Sequence, residues 1–81
     1  ERRWAIDGAL TCREFEDVFK QPLSDGKVDT LAGFIAEKLG RIPLEDDVVT
    51  EGSFKFMVSQ ARRGRARLIE LERIAERFEN E

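Results

Sequence analysis

Three consecutive carboxylates, Glu45-Asp46-Asp47, form the densest group of side chains in this sequence that could do chemistry. Hard cations take carboxylate oxygens, and Mg²⁺ needs only one or two of them beside its waters, so the run is a candidate site for Mg²⁺ or Ca²⁺. Neighbouring side chains on an extended segment point to opposite faces, however, so three in a row converge only if the loop curls. Otherwise they form a solvated loop. The alternating acidic spacing of a calcium-binding EF-hand loop is absent. A second concentration of charge is basic: Arg62, Arg63, Arg65 and Arg67. That cluster suits anionic lipid headgroups or an acidic partner domain. The plainer and favoured reading is a charged hairpin that keeps strand edges from aggregating. Cys12 opens a helical segment, where the helix dipole lowers a thiol pKa, but without a nearby His or second Cys its plainer reading is an inert thiol.

What the chain lacks bounds the rest. It has no His, no Tyr and one Cys, which removes Ser-His-Asp and Cys-His triads, His-based zinc sites and the CxxC redox pair. A single Cys forms no internal disulfide and fits a reducing compartment. Fourteen basic against 17 acidic residues give a net charge of −3, and no aromatics interleave the arginines, so nucleic acid is not an expected partner. No Gly-rich phosphate loop is present, and no pair of carboxylates stands out for acid–base work. An enzyme is therefore disfavoured. No apolar run approaches the roughly 18 residues of a membrane span, and no signal peptide is visible. Eighty-one residues make one small domain with a thin core, and a start at Glu1 rather than Met reads as a piece of a longer chain.

The elements that must position these groups follow from periodicity and caps. Trp4 and Ile6 share one face of a first strand, which Asp7-Gly8 ends as a turn. Thr11 and Glu14 form a capping box for a helix over about residues 11–20, with Phe15, Val18 and Phe19 on one face. Pro22 stops it. A second helix spans Asp29–Leu39, capped by Asp29 or Thr30, with Leu31, Phe34, Ile35 and Leu39 as its apolar stripe. Gly33 inside that helix is either tolerated sequence drift or the mark of another backbone packed close to it, and the second is the expectation. Gly40 fits the left-handed position after the helix, and Pro43 prevents its continuation. Val48-Val49-Thr50 and Phe54–Val58 flank Glu51-Gly52-Ser53 as a hairpin, with Phe54, Phe56 and Val58 facing one way. Arg62-Arg63-Gly64 is a second turn. Residues 67–72 alternate as a strand, while Leu71, Ile74, Ala75 and Phe78 follow helical spacing, so a strand to about Leu71 followed by a helix is predicted. The order β-α-α-β-β-β plus a C-terminal helix makes an α+β fold, a small, mostly antiparallel sheet with two helices on one face.

Asp7-Gly8, Asp29-Thr30-Leu31-Ala32-Gly33, Leu39-Gly40-Arg41-Ile42-Pro43 and the Gly52 turn with its Phe54–Val58 strand, in this order and spacing, resemble the CorC/HlyC transporter-associated domain. The resemblance covers about residues 3–72 and leaves 73–81 as an amphipathic tail. It differs at Asp46, where the family pattern has glycine after Pro-x-x; aspartate tolerates the positive φ that such a turn needs. It differs again in the longer Ala61–Ile69 hairpin, which leaves the pairing of the last strand open. The resemblance implies a regulatory, non-enzymatic module at the cytosolic C-terminus of magnesium and cobalt efflux or hemolysin-like membrane proteins. Its partners there would be a CBS pair and the membrane domain of the same protein. It assigns Asp7, Gly8, Asp29, Thr30, Gly33, Gly40, Pro43 and Gly52 to the structural motif. The alternative is a direct sensor of a divalent cation or of an adenine nucleotide or FAD. The tail, with Leu71, Ile74 and Phe78 as its apolar stripe, is marginal as a lone helix and needs something to pack on. Homodimerisation through it is the expected outcome.

Overall fold

The computed structural model describes residues 2–23 and 28–74. Strand β1 is Arg3–Asp7, helix α1 Cys12–Phe19, helix α2 Leu31–Leu39, and strands β2, β3 and β4 are Val48–Glu51, Phe54–Arg62 and Arg65–Arg73. The strands form one antiparallel sheet in the order β1-β4-β3-β2. The element order and α+β class are those expected. The open question of the last strand is resolved: β4 lies inside the sheet, with β1 on one side and β3 on the other.

That position corrects the tail. A helix is expected after about Leu71, with Leu71 on its apolar stripe, yet Leu71 pairs with Trp4 and Phe56, Glu72 with Arg3 and Lys55, and Arg73 with Phe54. Ladder bonds on both sides satisfy the backbone more fully than a marginal helical turn would. Leu71 is fully buried, so it is a core residue and not part of an interaction surface. Ile74 follows the strand, donates its N–H to the Ser53 carbonyl at 2.8 Å and keeps a partly exposed side chain. Phe78 and the helix expected around it lie outside the described residues.

Both helices begin as their residues dictate. The Thr11 hydroxyl accepts the Glu14 N–H at 3.0 Å, and the Glu14 carboxylate accepts the Thr11 N–H at 3.1 Å, which completes the capping box. Thr30, not Asp29, caps α2, its hydroxyl accepting the Gly33 N–H at 3.2 Å. Gly40 closes α2 with φ 73°. Val18 departs from its expected stripe and is exposed, because Phe15 and Phe19 alone fill the contact of this short helix.

Helices and sheet meet through aromatic rings. Phe15 of α1 lies 5.6 Å from Phe54 and 5.5 Å from Phe56, and Phe34 of α2 lies 5.4 Å from Phe56. The inward row of β3, Phe54-Phe56-Val58, is buried under these helices together with Ile69 and Leu71 of β4. Trp4 stands edge-on to Phe19 at 5.0 Å. Truncating one such buried Phe to Ala costs about 3–5 kcal/mol, a large part of the roughly 4–12 kcal/mol that a domain this small has in total.

Candidate functional site

Five of the motif residues, Asp7, Gly8, Asp29, Thr30 and Gly33, lie at the starts of the two helices, while Gly40, Pro43 and Gly52 lie elsewhere. Thr11 and Thr30 form an isolated antiparallel bridge, in which Cys12 donates to the Asp29 carbonyl at 2.7 Å and Leu31 to the Leu10 carbonyl at 2.9 Å. Asp7 closes its turn by accepting the Ala9 N–H at 2.8 Å. Gly8 donates to the Arg67 carbonyl at 3.0 Å and accepts from Ala32 at 2.9 Å, tying β4 to α2. A Cβ on Gly8 would overlap the Ala66 carbonyl. The close backbone approach expected at Gly33 is therefore at Gly8: a Cβ at Gly33 meets only the Thr30 and Val28 side chains, at 3.5 Å or more. A cleft of about 230 Å³ opens here, with Asp7, Thr30, Arg65 and Arg67 in its walls. The first amides of α2 point elsewhere. Leu31, Ala32 and Gly33 all have partners within the chain, so this helix start presents no free N–H to an anion.

The acidic run sits in the loop after α2. Arg41 grips Asp47 with both terminal nitrogens at 2.8 Å. Asp47 also accepts the Leu44 N–H at 2.7 Å. The Arg41 fork and then the Leu44 amide hold the Asp47 carboxyl below the usual carboxylate range, and the same fork raises Arg41. The Asp46 N–H donates to the Val58 carbonyl, and the Val58 N–H to the Asp47 carbonyl. Asp46 has φ 76°, the left-handed turn conformation expected of it. Glu45 and Asp46 are exposed, while both Asp47 oxygens are engaged. The loop thus does not bring Glu45, Asp46 and Asp47 together around one point. Among the described residues no group of three His, Cys, Asp or Glu side chains is placed to hold a metal.

The same clamp presents two residues that sequence reasoning did not single out. Pro43 is buried, and its neighbours Ile42 and Leu44 are turned out to 64% and 61% exposure. Only the burial of the proline between them reveals this, and composition does not carry it. Ile42 sits against the β3–β4 turn, where a Cβ on Gly64 would touch its Cγ2 at 3.8 Å. That turn is Arg63-Gly64, with φ 55° and 78°, and Arg62 faces Arg65 across it. All four residues of the arginine cluster are exposed, Arg65 and Arg67 lining the cleft described above. The sheet face away from the helices is laced by ion pairs, Arg3 with Glu70 and Glu72 and Lys55 with Glu72, at 3.5–3.8 Å. Exposed pairs of this kind contribute about 0–1 kcal/mol.

Gly52, at φ 59°, turns β2 into β3 under the amide of Gln21. Cys12 is buried, its thiol 3.5 Å from the Thr30 carbonyl. Burial first, and then the charges of Glu16 and Asp29, raise its pKa. Burial and these carboxylates thus outweigh the helix dipole.

Comparison with known proteins adds the context. A family described as the transporter-associated domain CorC_HlyC matches residues 1–75. The magnesium and cobalt efflux protein CorC of Buchnera aphidicola subsp. Baizongia pistaciae is 26% identical over 66 residues, which cover 82% of this chain and 23% of that protein. The chain therefore spans about a quarter of the length of this curated relative. A solved CorC-associated region from Neisseria meningitidis MC58 is 26% identical with a TM-score of 0.85, and the match covers 91% of each chain. A CorC_HlyC domain from a Xylella fastidiosa Temecula1 hemolysin, solved in complex with Mg²⁺ and Mn²⁺, shares the fold at TM-score 0.79 and 23% identity, over 90% of this chain and 89% of that one. With the family model matching residues 1–75, this chain belongs to the CorC_HlyC transporter-associated domain family.

Proposed function

We propose that this domain is a non-enzymatic regulatory and interaction module at the cytosolic C-terminus of a membrane ion-transport protein, of the magnesium and cobalt efflux or hemolysin-like kind. A CBS pair and the membrane domain of the same protein are its partners in this reading, and a second copy is a further one. The observation that carries the reading is the family match over residues 1–75, joined to relatives that extend far beyond the matched part. The arrangement of side chains agrees with it. The motif residues are spent on caps, turns and one close backbone contact, which builds a rigid frame for surfaces. Among the described residues no helix is long and apolar enough to cross a membrane, so the module would act beside a membrane domain.

Direct sensing of a divalent cation through Glu45, Asp46 and Asp47 is the weaker reading, because binding would have to break the Arg41–Asp47 fork. Reading the full open reading frame tests the proposal. Apolar spans and a CBS pair upstream of the domain are expected, and a stand-alone chain would refute it.

A further inference from the structure

Two exposed features of the fold adjoin each other. Arg62 and Arg65 face one another across the β3–β4 turn, and like charges directly opposite in a sheet are destabilising. Ile42 and Leu44 expose more than three-fifths of their surface, yet they are not on a slack loop. The buried Pro43 between them, the Arg41 fork on Asp47 and the Leu44 N–H bond fix the backbone that carries them. A Cβ at Gly64 would come within contact distance of Ile42, so Ile42 and the arginine tip are neighbours on one surface, with Leu44 two residues along the same loop.

We propose that this surface docks on an anionic lipid bilayer. Ile42 and Leu44 enter the headgroup layer while Arg62, Arg63, Arg65 and Arg67 take lipid phosphates. Glu45, Asp46 and Asp7, which shares the cleft with Arg65 and Arg67, oppose the attraction, but four arginines against three carboxylates leave one positive charge in excess, with Arg41 and Asp47 cancelling. The shape favours a membrane over a peptide: both aliphatic side chains project, whereas a peptide is held in a recess. An interfacial surface of this kind combines apolar burial with attraction to anionic lipid, and each arginine near the surface contributes about fivefold in affinity. The inference rests on the reading of the domain as part of a membrane protein.

The test is flotation of the isolated domain with vesicles of equal phosphatidylglycerol and phosphatidylcholine, against vesicles of phosphatidylcholine alone. A related domain was solved as a chain of which the match covers 91%, so the domain is tractable by itself. Binding is expected only to the anionic vesicles, and weakening with salt. The pair Arg62→Gln and Arg65→Gln should reduce it about 25-fold while leaving the melting temperature equal or higher, since a repulsion is removed. The pair Ile42→Ser and Leu44→Ser should reduce it at least about tenfold with little change in melting temperature. Absence of binding at millimolar anionic lipid overturns the proposal, as does binding that neither pair alters. Loss with the arginine pair but not the serine pair also overturns it, leaving headgroup attraction without insertion. Each of these failures leaves the transport-module reading standing, because that reading is tested by the open reading frame.

Discussion

Replacing Gly8 by alanine puts a methyl group where the Ala66 carbonyl already sits. The φ of Gly8 lies outside the left-handed region, so backbone conformation alone would make this exchange stabilising by about 0.4–1 kcal/mol. Sterics reverse the sign. The obstacle is backbone in an interior strand and cannot rotate aside. Gly8 cannot withdraw either, because its N–H and C=O are both bonded, to Arg67 and Ala32. Relief means parting β4 from the β1–α1 turn, with overpacking and lost bonds together costing roughly 2–3 kcal/mol. At about 4–8 °C per kcal/mol for a domain of this size, thermal unfolding followed by circular dichroism should show a fall of roughly 8–24 °C. Gly33→Ala is the matched control. Its Cβ meets only ordinary contacts, and the helix gains up to about 1 kcal/mol, so its melting temperature should rise. Wild-type melting of the Gly8 variant, or destabilisation by the Gly33 variant as large as that of Gly8, would refute the assignment of the close approach to Gly8.

Thr30→Ala removes the hydroxyl that accepts the Gly33 N–H and should cost about 1 kcal/mol, read as a lower melting temperature; an unchanged value would contradict the cap. Asp47→Asn should lower stability at neutral pH. Because the folded Asp47 pKa is depressed, its contribution is complete above the unfolded value near 3.9 and fades as pH falls through the folded value. The two melting temperatures should therefore converge below about pH 4, and a constant gap down to pH 2 would count against the fork. Cys12 should react with a thiol reagent at neutral pH far more slowly in the native than in the unfolded chain, and fast native labelling would contradict its raised pKa. Millimolar Mg²⁺ should leave the melting temperature unchanged; a saturable rise abolished by Glu45→Ala would restore the acidic loop as a metal site.

Local rules made much of this fold legible. The Thr11–Glu14 box, the Gly40 stop and the Phe54–Phe56–Val58 alternation each need only a few neighbouring residues to take effect, and each stands in the structure. The end of β4 was not legible, because Leu71 fits a strand with Ile69 and a helix with Ile74, and only pairing with β1 and β3 decides between them. Gly33 and Gly8 were confused for a related reason: a close backbone contact depends on which strand passes overhead. The acidic run looked like a metal site until Arg41, six residues away, claimed Asp47. Nothing in the sequence singles out Ile42 and Leu44, whose exposure accompanies the burial of Pro43 between them.

In the proposed function the domain tunes transport without performing it, and that role can be measured. It is tested most directly by Mg²⁺ and Co²⁺ flux through the full-length protein in membrane vesicles, intact and with the domain removed. A changed rate or cation dependence in the truncated protein, with transport retained, is the predicted result. Flux identical to that of the intact protein, at equal amounts in the membrane, would contradict the account.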